Sequence, residues 1–334
     1  MTLALSAAAL MLIWPETVMA AARQACALWA QTVLPGLLPF LICLTYAAGR
    51  MRIKAGRPCP LTGLSRSGRC VMLMGLVTGS PGGARLMGEA ARRGLLSPGD
   101  GLRLALWGGS MSPMFVMGTL PLWLGQGEAG WRLLAAHWLG VFCAGEWARL
   151  LPVGPCPAFP QAKGEEMTLP GAVESAARAL LSVCGCMVLG AWAGALLKRL
   201  LPDLPPLWAA MAQCLTEVTA GCQALLEAGA PAWLLPGFVS LGGLSLFLQN
   251  MAFWPRGWFH PGWVAAGRGV AFCVSLGAGR LLLGDASAFA GQPLPPPSPP
   301  WLIAFWLLLA LAAPLKSRRR HLHADVCRCS QMSP

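Results

Sequence analysis

Ser80, Ser110, Ser112, Thr219, Ser245, Gln249 and Asn250 are neutral hydrogen-bonding side chains, and each lies in or beside a glycine-rich interruption of an apolar stretch. There are four such interruptions. Val71–Thr78 runs into Gly79-Ser80-Pro81-Gly82-Gly83, and Gly108-Gly109-Ser110-Met111-Ser112-Pro113 follows it. In the second half, Leu207–Leu215 runs into Thr216-Glu217-Val218-Thr219-Ala220-Gly221. Ser240-Leu241-Gly242-Gly243-Leu244-Ser245 comes next and closes on Gln249-Asn250. Unwound backbone at membrane depth leaves donors and acceptors unpaired unless it lines a cavity or is packed in protein. Half-helix termini carry partial charge and free backbone groups, so they bind polar ligands without ionised side chains. Glycines such as Gly79, Gly82, Gly83, Gly109, Gly221 and Gly243 let the chain turn and a ligand come close. Such a lining suits a polar solute with several hydrogen-bonding edges, for example a nucleoside. Small residues also let membrane helices pack closely. That explains any one glycine; four clusters at matched positions point to a site.

Glu217 is the sharpest single residue, because an acid within a membrane hairpin is a functional candidate. It can hold a coupling ion (Na⁺ or H⁺) or accept a hydrogen bond from the solute; the plainer alternative is a structural pair with Arg268. Arg85 follows the first break and would suit an anion, snorkel to the interface, or meet Glu89 one turn on. His137 and Glu146, nine residues apart, share no helical face closely and read as packing or interfacial residues. No H-E-x-x-H, G-x-S-x-G, P-loop or G-x-G-x-x-G pattern occurs, so no enzyme is expected.

The elements that must carry these residues are membrane helices. The chain of 334 residues is 56% hydrophobic and only 11% charged, against about 25% charged in soluble domains. Its net charge of +12 does not mark a nucleic-acid binder, because the basic residues flank apolar spans. Six lie between Arg50 and Arg69, and Lys316, Arg318, Arg319, Arg320 and Arg328 fill the tail. That is the positive-inside pattern, placing both termini on the cytoplasmic side of a cell membrane. Most cysteines sit in apolar stretches as small hydrophobes. His321, His323, Cys327 and Cys329 do not match a zinc spacing. The first twenty residues lack a basic start and read as an uncleaved helix rather than a signal peptide. Trp123, Trp131, Trp258 and Trp301 read as interfacial anchors.

The order of elements predicts an all-α membrane protein, a polytopic bundle with an inverted-topology repeat, two re-entrant hairpins and two discontinuous helices. Residues 1–32 form a short helix and an interfacial segment. Residues 33–150 form the first repeat, 151–171 a cytoplasmic linker and 172–283 the inverted second repeat. Residues 284–315 form an outer loop and a last span, and 316–334 a basic tail. A helix start is read at Ser97-Pro98-Gly99-Asp100, with serine as cap, proline first and aspartate in the first turn.

These clusters resemble the sporulation integral membrane proteins of the YlbJ type, which carry the nucleoside-recognition Gate domain. The likeness rests on Val33-Leu34-Pro35-Gly36-Leu37-Leu38-Pro39-Phe40, Gly79–Arg85, Ser112–Thr119, Glu217–Gly221 and Gly242–Gln249, over roughly residues 25–283. It implies an inverted-repeat protein resembling the core of concentrative nucleoside transporters, in spore-forming bacteria. Its expected partners are the bilayer and a small polar solute, with no cofactor and no nucleic acid. The chain departs from the family at Gly109-Ser110-Met111-Ser112, where Asn-Asn-Ser-Gly is usual, and at Ala220, where Asn is usual. Those lost amides motivate the alternative, a non-transporting scaffold of the sporulation membrane.

Overall fold

The computed structural model describes residues 9–50, 63–154 and 167–284, in which every regular element is helical. Helix α1 (Pro15–Leu28) passes through a π turn (Trp29–Val33) into α2 (Leu34–Arg50). The turn has a local cause. Pro35 lacks an N–H, and its ring would clash with the carbonyl four residues back, that of Gln31, which lies inside the widened turn. The expected interfacial segment and separate span are therefore one run, and Pro15–Ala47 is long and apolar enough to cross a membrane.

Helices α3 (Arg66–Thr78) and α4 (Gly82–Arg92) fold back on each other. Ser65 caps α3 by accepting from Gly68 N at 2.9 Å. Helix α5 (Pro98–Trp107) starts as read, in a capping box: Ser97 Oγ accepts from Asp100 N at 3.1 Å while Asp100 accepts from Ser97 N. After α5 the chain unwinds, passes a second π turn (Phe115–Thr119) and continues as α6 (Leu120–Leu124). Here too a proline stands two residues past the turn: Pro121 would strike the Met117 carbonyl of a regular helix.

Helix α7 (Ala129–Trp147) carries Arg132, His137 and Glu146, and it is enclosed by neighbouring helices. Helix α8 (Leu169–Leu200) is the longest. A second hairpin, α9 (Pro206–Thr216) and α10 (Val218–Glu227), turns at Glu217. Helices α11 (Leu234–Leu241) and α12 (Gly243–Met251) are one run broken at Gly242, where both glycines take positive φ (80° and 64°) that a side chain would resist. Helix α13 (Pro261–Leu283) closes the described fold.

Among the described residues, four helical runs are long and apolar enough to span a bilayer: Pro15–Ala47, Leu169–Leu200, Leu234–Met251 and Pro261–Leu283. One apolar core joins α3, α4, α5 and α7 to the start of α13. It takes in Trp258, which is buried rather than an interfacial anchor, because the segment before α13 folds back under α5. A second core gathers hairpin two with α6, α7 and α11. Most of the basic loop after Arg50, most of the linker, the span at 301–315 and the tail with His321 and Cys327 lie outside the described residues.

Candidate functional site

Three of the four breaks are wired together by one buried polar network. Ser80, at the tip of hairpin one, donates through Oγ to Asn250 Oδ1 at 2.7 Å and accepts from Gln249 Nε2 at 2.6 Å. Its own N–H donates to Ser110 O at 2.7 Å. Asn250 Nδ2 donates to Gly109 O at 2.7 Å. Thus α12 holds both the first hairpin and the unwound stretch after α5.

Arg268, on α13, completes the frame. It donates to Ser240 O at 3.2 Å and also to Gly109 O. Both carbonyls lie at the C-terminal ends of broken helices, α11 and α5, where orphan acceptors and negative dipole ends meet. A buried guanidinium satisfies both at once. The alternative pair of Arg268 with Glu217 is not formed, because each has its own partners. Glu217 caps α10, accepting from Thr219 N at 3.1 Å and Ala220 N at 2.6 Å.

Around this frame lies a cleft. One wall is polar, made by Ser80, Ser112, Glu217, Thr219, Ser245 and Gln249. The rest of the lining is mostly apolar, with Val33 and Leu37 from the first long run, Val183 and Met187 from α8, and Met111, Phe115, Val218 and Leu246. Water centres have about 60 Å³ of room inside, several times the roughly 10–15 Å³ that one water requires. The space takes a few waters or a small group; a whole nucleoside would need the walls to part.

The other expected site residues stand behind the cleft and shape it. A β-carbon on Gly83 would fall on the Gly108 carbonyl, and one on Gly79 would strike Ser112. Gly82 packs on Thr78, Gly109 on Ala105 and Asn250, Gly221 on Cys214 and Gly243 on the Cys214 carbonyl. Ser110 Oγ is spent on Trp107 O at 2.9 Å, and Asn250 is fully buried. These glycines serve close helix crossing in this conformation rather than ligand approach.

Arg85 is not at the cleft either. It donates to Ser175 O at 2.8 Å and to the Ser175 hydroxyl, docking hairpin one on α8, while Glu89 pairs with Arg92 and Arg93. His137 has the packing role expected of it: Nδ1 meets Ser240 Oγ at 2.7 Å, and Ser240 meets Ser275 at 2.7 Å, linking α7, α11 and α13. Glu146 pairs with Arg149.

The polar wall was thus legible as residue types, but the apolar wall was missed. Its signal was the proline two residues beyond each π turn, Pro35 and Pro121, since both turns contribute to the cleft.

With this geometry in view, one similarity is informative. The chain resembles the sporulation integral membrane protein YlbJ of Bacillus subtilis (strain 168). The two are 29% identical over 138 residues, 39% of this chain and 34% of the relative, so the match spans about a third of the Bacillus protein. No family model and no solved structure matches the chain. The four long apolar runs and the likeness to an integral membrane protein agree: this is a membrane protein built of helices.

Proposed function

We propose that the chain is a permease core of the nucleoside-recognition type with a role in sporulation. In this reading residues 33–150 and 172–283 are inverted repeats. Hairpins α3–α4 and α9–α10 enter the bilayer from opposite faces, and a small polar or nucleoside-like solute binds where their tips meet the broken helices. One observation carries it: four interruptions far apart in sequence surround a single cleft, and Ser80 of the first half is hydrogen-bonded to Gln249 and Asn250 of the second. Catalysis by half-helices is not required; binding and release are. The exposed sides of α1, α2 and α8 would face lipid, while Glu217 would present its charge, or a coupling ion, to the solute.

The test is flux. Purified full-length protein in liposomes is expected to carry at least one solute from a panel of nucleosides and related polar molecules, and to melt higher in its presence. Glu217→Gln is expected to remove both effects. No flux and no stabilisation across the panel would overturn the proposal.

A second reading is a membrane scaffold that keeps a transporter fold. It is favoured by the way Ser80, Gln249 and Asn250 spend their donors on one another and on Gly109, filling the frame from within. Glu217→Gln separates the readings. Normal protein level with unchanged spore formation favours the scaffold, and lost spore formation at normal level favours a working site.

A further inference from the structure

The depth and lining of the cleft say more about its ligand than its polar wall does. Residues 24–49 of the first run and 179–197 of α8 carry no charged side chain. The cleft residues Gly36, Leu37 and Met187 lie at or next to the middle of those two stretches, which puts the cleft near the centre of the hydrocarbon. Its rim is also identifiable. Among the described residues a β-carbon on Gly36 would meet nothing within 4 Å, and Met114, also at the cleft, is 48% exposed. Thr32 and Thr119 share the rim, so the two π turns flank the opening. Widened turns of this kind concentrate at functional sites. Among the described residues, the faces of α1–α2 that do not meet α8, α3 or α4 are exposed apolar surface. An opening between apolar helices at mid-depth meets lipid tails, not water.

We propose that this cleft opens sideways into the bilayer between the two π turns and admits an amphipathic solute from the lipid phase. The inference rests on the reading of the cleft as a solute site and names its substrate class. Once the walls part to take it, the solute has an apolar body, which lies against Val33, Leu37, Val183 and Met187, and one hydrogen-bonding edge, which meets Ser80, Gln249 and the hydroxyls of Thr219 and Ser245. Among the described lining residues Glu217 is the one ionisable group and no basic side chain is present, so nothing in the lining pairs with an anion. The solute is therefore neutral or cationic. Polar edge inward and apolar body at the rim is the usual division of labour in a small-molecule pocket.

The experiment uses full-length protein in lipid nanodiscs with tryptamine as the probe, an apolar indole body bearing one ammonium, and uridine as the water-soluble comparison. Tryptamine is expected to raise the melting temperature by a few degrees, and uridine to raise it less. Gly36→Leu adds a side chain where there is room and removes a glycine from a helix, so its own melting temperature is not expected to fall. It plugs the rim and is expected to abolish the tryptamine shift. Gly185→Leu, on the exposed outer face of α8 with equal space, is expected to keep it. A full tryptamine shift in Gly36→Leu, or a shift with uridine and none with tryptamine, overturns lateral entry. Failure here and failure of the permease reading look different. A tryptamine shift without flux of any solute retires the permease and keeps the portal, while uridine flux untouched by Gly36→Leu retires the portal and keeps the permease.

Discussion

The two helical hairpins share a plan but are held in different ways. Hairpin one is braced from outside: Ser80 is bonded to Ser110, Gln249 and Asn250, Gly83 interlocks with Gly108, and Arg85 is docked on Ser175. Hairpin two makes its turn with its own carboxylate, since Glu217 accepts from the first amides of α10. Its limbs close on each other at Gly221 and Cys214. The first tip is thus a hydrogen-bonded strut between the halves, whereas the second closes its own turn and packs on Gly190 of α8 and Gly243 of α12.

The largest effect is expected where the strut has no slack. Gly83→Val would drive a branched side chain into the backbone of Gly108, and neither side can yield. We expect a loss of about 4 kcal/mol or more, seen as collapsed folded yield in detergent. Asn250→Ala should come next, at about 2–3 kcal/mol, because it leaves the buried Ser80 hydroxyl short of an acceptor and removes a donor from Gly109 O. Thermal melting checks it, and a loss below about 0.5 kcal/mol would mean that hairpin one is not braced. Glu217→Gln keeps the shape and an acceptor oxygen, so it should cost only about 1 kcal/mol or less while removing solute binding. Equal costs for the last two would erase the contrast between the hairpins.

The smallest effect lies at the far end of hairpin one. Burial opposes ionisation of Glu89, but hydrogen bonds from Arg92 and Arg93 outweigh it and hold the carboxyl below its ordinary value. A depressed carboxyl stabilises above its unfolded pKa, about 4.3, and the gain is lost as pH falls through the folded value. The pair is substantially exposed, so Glu89→Gln should lower stability at pH 7 by no more than a few tenths of a kcal/mol. The difference should shrink in melts as pH falls below about 4.3.

The breaks were readable because glycine, serine and proline interrupt long apolar runs. The start of α5 was readable for a local reason, since its capping box is written within four residues. Partners were not readable. Ser80 meets Asn250 across 170 residues and Arg268 meets Gly109 across 159, and periodicity carries no information about such pairings. The same limit hid the docking of Arg85 on Ser175 and left the glycines looking like ligand positions. The continuous run from Pro15 was missed because Gln31, Thr32 and Pro35 look like a boundary, whereas a π turn absorbs the proline and the helix goes on.

That continuity bears on how the molecule stands in its membrane. The charge-free stretch from 24 to 49 holds 26 residues (49 − 24 + 1) and that from 179 to 197 holds 19 (197 − 179 + 1). At about 1.5 Å per residue these are roughly 39 Å and 28 Å of apolar rod, packed side by side against a hydrocarbon slab of about 30 Å. The shorter one fits upright; the longer one must lean or thicken the lipid beside it. Of these two rods the N-terminal one carries the hydrophobic mismatch, and bilayer thickness becomes a lever on its tilt.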